Sequence, residues 1–72
     1  MTNYYHAQVF RDGQKSVWYH DITQVSKFLF YIKWFSGIST SKIYFYKKPN
    51  RKAQRGDYCG KWTPETDLTF TP

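Results

Sequence analysis

The alternation of apolar and polar positions changes period along the chain. From Asn3 to Phe10, NYYHAQVF, the period is two: Tyr5, Ala7 and Val9 point one way, and Tyr4, His6, Gln8 and Phe10 the other. That is strand behaviour. Arg11-Asp12-Gly13-Gln14-Lys15 is polar and contains Asp-Gly, so a hairpin turn is expected there. Ser16 to Ile22, SVWYHDI, resumes the alternation, with Val17 and Tyr19 opposed to Trp18, His20 and Ile22. The period then lengthens. Over Thr23 to Ser36, TQVSKFLFYIKWFS, the residues Val25, Phe28, Leu29, Ile32 and Phe35 recur three and four apart and make one helical stripe. Asp21 or Thr23 is placed to cap the start, and Gly37 to end the helix in a left-handed conformation. The aromatic run KFLFYIKWF would also suit a long buried strand. Its length and the capping residues favour helix.

Gly37-Ile38-Ser39-Thr40-Ser41 is a short polar connection. Lys42 to Lys48, KIYFYKK, returns to period two, with Ile43 and Phe45 on the core side and Lys42, Tyr44, Tyr46 and Lys48 opposite. Pro49-Asn50 breaks this strand, because proline cannot donate to the ladder. Asn50 to Asp57, NRKAQRGD, reads as an exposed, mobile loop. Tyr58 to Thr63, YCGKWT, suggests a fourth strand with a bulge at Gly60. Pro64-Glu65-Thr66-Asp67 suggests a turn, and Leu68 and Phe70, alternating with threonines, a last edge strand. The expected architecture is a single α+β domain over residues 1–72: a small antiparallel sheet (hairpin, one helix, one or two further strands) with the helix packed on one face and the other face open.

Composition sharpens this picture. A chain of 72 residues buries only about 60% of its unfolded surface, so its core is thin. Seven Tyr, six Phe and three Trp are more rings than such a core holds, so some tyrosines are expected at the surface. Phe30 and Trp34 lie four apart on the helix, away from the stripe. A chain this short is expected to fold its C-terminal segment over them; left uncovered, they would contact an oligomer or a target protein. Eleven Lys and Arg against five Asp and Glu give a net charge of +6, which favours acidic partners. One cysteine, Cys59, allows no internal disulfide, which suits a cytoplasmic protein. The first residues, MTNYYHAQ, do not read as a signal peptide, and the helix carries Lys27 and Lys33, so no membrane span is expected.

The strongest cluster is basic and aromatic. Lys42, Lys47, Lys48, Arg51, Lys52 and Arg55 follow one another with no acid between them, and Tyr44 and Tyr46 are interleaved with the lysines. Rings that stack on bases, beside cations that hold phosphates, suit single-stranded nucleic acid. Lysines that keep a sheet edge from aggregating account for Lys42 and Lys48, but for neither the tyrosine pair nor the basic loop. Known RNA-binding signatures, the RNP1 pattern and the Gly-x-x-Gly clamp, are absent.

No catalytic, metal or cofactor site is expected. His6, His20 and Cys59 are too widely spaced for a zinc pattern. A Cys59–His20–Asp21 nucleophile is conceivable, but strand histidines and a buried thiol explain the same residues. The glycines form no phosphate loop and the acids no paired site. The expected function is therefore a non-enzymatic nucleic-acid-binding module. The alternative is a protein-interaction module, an inhibitor or adaptor, that docks through Phe30 and Trp34, or through the tyrosine face, on an acidic protein or a second copy. Either would suit an accessory protein of a phage or mobile element.

Overall fold

The computed structural model describes residues 3–35 and 40–66. Strands β1 (Tyr4–Arg11) and β2 (Val17–Ile22) precede helix α1 (Val25–Phe35), and strands β3 (Thr40–Lys48) and β4 (Asp57–Trp62) follow it, with a short 3-10 turn at Pro64–Thr66. The strands form one four-stranded antiparallel sheet in the order β2-β1-β3-β4. The expected α+β architecture is borne out. The helix end at Gly37, the side chain of Phe35 and the strand expected around Leu68 and Phe70 lie outside the described residues.

The hairpin turn forms as its chemistry requires. Gly13 has φ 71°, the left-handed region that glycine enters without penalty. The Gln14 N–H donates to the Arg11 carbonyl at 3.2 Å. The helix begins at Val25, and the Gln24 carbonyl accepts from the Phe28 N–H at 3.0 Å. Its core stripe is Leu29 and Ile32, buried, with Val25 and Phe28 half-buried beside them. Facing it from the sheet are Ala7, Val9, Ile22, Ile43, Phe45 and Trp62. Phe28 crosses Tyr19 and Phe45 edge to face, at centroid distances of 5.2 and 6.0 Å. These contacts cover one face of the sheet, and among the described residues no helix lies on the other.

Register irregularities interrupt all three strand pairs. Between β1 and β2 the partners step from Ala7↔Tyr19 to Tyr5↔Ile22, so β2 carries one extra residue. Asp21 absorbs it with φ 61°. The alternation places Ile22 beside Trp18 and His20, but the bulge turns Ile22 onto the helix face, where it is buried. Asp21 is therefore a bulge residue and no helix cap. Between β3 and β4 the extra residue is Cys59, one position before the expected Gly60. Between β1 and β3 it is Ser41, whose hydroxyl donates to the Phe10 carbonyl at 3.1 Å.

Candidate functional site

The helix-free face of the sheet is built from the even positions of β1 and β3, with Trp18 and His20 from β2 and Tyr58 and Lys61 from β4. Tyr46 stands between Trp18 and Tyr58, at centroid distances of 5.6 and 5.8 Å. Tyr44 packs on Tyr58 at 5.9 Å and on Phe10 at 5.3 Å. The Lys42 ammonium lies 4.9 Å from the Phe10 ring and 5.2 Å from the Tyr44 ring, a cation held against two aromatic faces. One aromatic surface thus runs from β2 to β4. Tyr44 and Tyr46 are half-buried because neighbouring rings cover their edges, while Trp18 and Tyr58 are exposed.

The basic tract divides in the structure. Lys42, Tyr44 and Tyr46 share the aromatic face. Lys47 points to the opposite side, paired with Tyr5 and Asp57 across the neighbouring strands. Lys48, expected at the surface, is buried at 6% exposure. Its ammonium donates to the Asp21 carboxylate at 2.8 Å and to the Arg51 carbonyl at 2.6 Å. The Asp21 bulge creates this interior place for Lys48, so Lys48 organises the site and offers no free charge to a phosphate. The hydrogen bond from Lys48, and then its charge, hold the Asp21 carboxyl below the usual value. Arg51, Lys52 and Arg55 are exposed on the β3–β4 loop.

This loop folds back towards the sheet. A Cβ on Gly56 would meet the Lys47 carbonyl oxygen at 2.8 Å, so only glycine lets the loop approach the strand so closely. Beneath the loop lies His6, buried at 4% exposure. Its Nδ1 is 2.6 Å from Nδ1 of His20, so one ring must donate a proton to the other. Burial, then the Lys48 cation and then His20, push His6 below the ordinary imidazole pKa, against weaker opposition from the Ala53 backbone and Asp21.

Cys59 lies on the other side of the sheet, packed against the core, with its thiol directed at the Phe45 carbonyl at 3.5 Å. Burial raises its pKa. Strands β1 and β3 separate it from His20 and Asp21, about 14 Å across the sheet. The conceivable Cys59–His20–Asp21 nucleophile is not assembled. Among the described residues, no three of His, Cys, Asp and Glu come together to hold a metal ion.

The basic tract left Phe10, Trp18, His20, Tyr58 and Lys61 out of the site. The alternation of β1 and β2 already set Phe10, Trp18 and His20 opposite the core positions. Only the strand order carries them to Tyr44 and Tyr46. On the helix, Phe30 and Trp34 pair at a centroid distance of 5.9 Å. They are 58% and 68% exposed, so the expected cover over them is not present among the described residues. No family model, no curated protein and no solved structure matches the chain.

Proposed function

We propose that the protein is a nucleic-acid-binding module that lays a single strand across the open face of its sheet. The observation behind this reading is one connected aromatic surface, Phe10, Trp18, Tyr44, Tyr46 and Tyr58, bordered by cations, with the nearby Asp21 carboxylate taken up by Lys48. Successive bases stack on such rings without regard to sequence. Lys42 and Lys61 on the sheet, and Arg51, Lys52 and Arg55 on the loop, supply the cations that hold phosphates. No helix among the described residues is long and apolar enough to cross a membrane. The lone thiol suits the cytoplasm.

Anisotropy of fluorescent single-stranded oligonucleotides across a salt series tests this reading. If about 4 phosphates are neutralised, the log–log slope is about −3. Absence of binding at low salt removes the proposal.

The exposed Phe30 and Trp34 support a second reading, a protein contact with a second copy or an acidic partner. Sedimentation velocity of the parent against a Phe30→Ala, Trp34→Ala variant tests self-association. A concentration-dependent dimer that the variant does not form favours it.

A further inference from the structure

At the β2 end of the aromatic face, between the sheet and the β3–β4 loop, is a cavity of about 520 Å³. His6, Trp18, His20, Tyr46, Gln54 and Arg55 line it. Its volume lies within the range of about 300–1,000 Å³ that small-molecule sites occupy. We propose that this cavity takes a single unstacked nucleobase, with the attached phosphate directed to Arg55. The inference rests on the nucleic-acid reading of the open face and narrows it to one nucleotide subsite.

The walls suit a flat, uncharged ring. Trp18 and His20 stand two residues apart on one side of β2, with ring planes within 4° of parallel and centroids 6.5 Å apart. That is less than the distance of about 7 Å that a ring inserted between two others needs, twice a carbon contact of about 3.5 Å, so a base stacks on the exposed Trp18 ring from the cavity side and not between the two. Tyr46 closes a further side of the cavity, tilted 36° to Trp18. The polar groups are few and differ in kind. The Gln54 amide offers both a donor and an acceptor, as the edge of a base requires. Arg55 brings a forked cation suited to a phosphate. Lys48, in the adjoining cavity with Arg51 and Lys52, is held by Asp21 and by the Arg51 carbonyl. Among the residues lining this cavity the cation is Arg55, and one charge beside aromatic walls fits a nucleotide better than a polyanion.

The His6–His20 pair fixes one wall. Its hydrogen bond ties β1 to β2 and sets the orientation of the His20 ring. Close approach at Gly56 keeps the loop that carries Gln54 and Arg55 against β3.

Titration of the full chain with AMP, GMP, CMP and UMP, followed by NMR, tests the cavity, with ribose 5-phosphate as the control lacking a base. At least one mononucleotide should shift the Trp18 indole and the His6 and His20 ring signals, and ribose 5-phosphate should leave them in place. Trp18→Leu should abolish the His6 and His20 shifts and weaken oligonucleotide binding by about fivefold to a hundredfold, the range of one stacked base. Tyr44→Ala should weaken oligonucleotides while leaving the mononucleotide shifts intact. Equal shifts from ribose 5-phosphate would show a plain anion site and overturn the proposal. So would oligonucleotide binding by the parent with no mononucleotide reaching these signals. The wider reading fails separately, if the parent itself binds no oligonucleotide.

Discussion

Lys48 is a lysine that the alternation of KIYFYKK assigns to solvent and the fold assigns to the interior. The sequence offered no sign of this, because its partners Asp21 and the Arg51 carbonyl come from a distant bulge and from the following loop. Lys48→Gln removes the charged donor from both, and a destabilisation of about 1–3 kcal/mol is expected. Lys52→Gln and Arg55→Gln change exposed loop residues and should stay within about 0.5 kcal/mol of the parent. Urea unfolding of the three variants checks the ranking, and equal stability would mean that the whole tract is solvated. His6 gives a second expectation at this scale. Its folded pKa lies below the ordinary value of 6.5, so the unfolded chain binds more protons in that window. The stability contributed by neutral His6 is complete above about 6.5 and is lost as pH falls through the lowered folded value. Asp21, lowered from 3.8, adds its own loss only at much more acidic pH. Melting temperature should therefore decline between neutral pH and the onset of carboxylate titration, and His6→Gln should flatten that decline. A parent curve that is flat there would mean that protonated His6 is accommodated.

At the scale of elements, periodicity was a good guide to which strands and helix form and a poor guide to where a strand turns over. The hairpin was legible because Asp-Gly sits between two period-two runs. The helix was legible because five apolar residues share one stripe. The face of Ile22 was not, since one inserted residue resets the alternation and nothing in SVWYHDI marks its place. Asp tolerates the left-handed region better than most residues, and that is the only local hint. This makes the bulge testable. Asp21→Gly and Asp21→Val both break the ion pair with Lys48, but only valine must also force a β-branched side chain into φ 61°. The valine variant should be less stable than the glycine variant by about 1–2 kcal/mol. Equal stabilities in thermal unfolding would show that the backbone can relax out of the bulge without cost.

For the whole molecule, the site is a product of strand order. Trp18 on β2 and Tyr46 on β3 have β1 between them, a strand separation of about 10 Å, yet their ring centroids are 5.6 Å apart. They do so by leaning over His6 and Gln8, the outward residues of the strand between. Half of this site was readable as a local run of lysines and tyrosines. The other half depended on pairings that no short window of sequence contains. The division of labour between rings and cations can be separated in one oligonucleotide assay. Tyr44→Ala with Tyr46→Ala removes the centre of the aromatic surface and should weaken binding by about 1–3 kcal/mol for each base that no longer stacks, with the salt slope almost unchanged. Lys42→Gln, Lys52→Gln, Arg55→Gln and Lys61→Gln together remove cations around that surface and leave Lys48 in place. That variant should bind weakly at low salt, with the slope reduced by about 0.7 for each phosphate left without a cation. Both variants need a circular-dichroism check, because the two tyrosines are half-buried and part of the effect of removing them falls on packing. If both remain folded and bind as tightly as the parent, the open face is not the binding surface, and the exposed Phe30–Trp34 pair on the opposite side becomes the place to look.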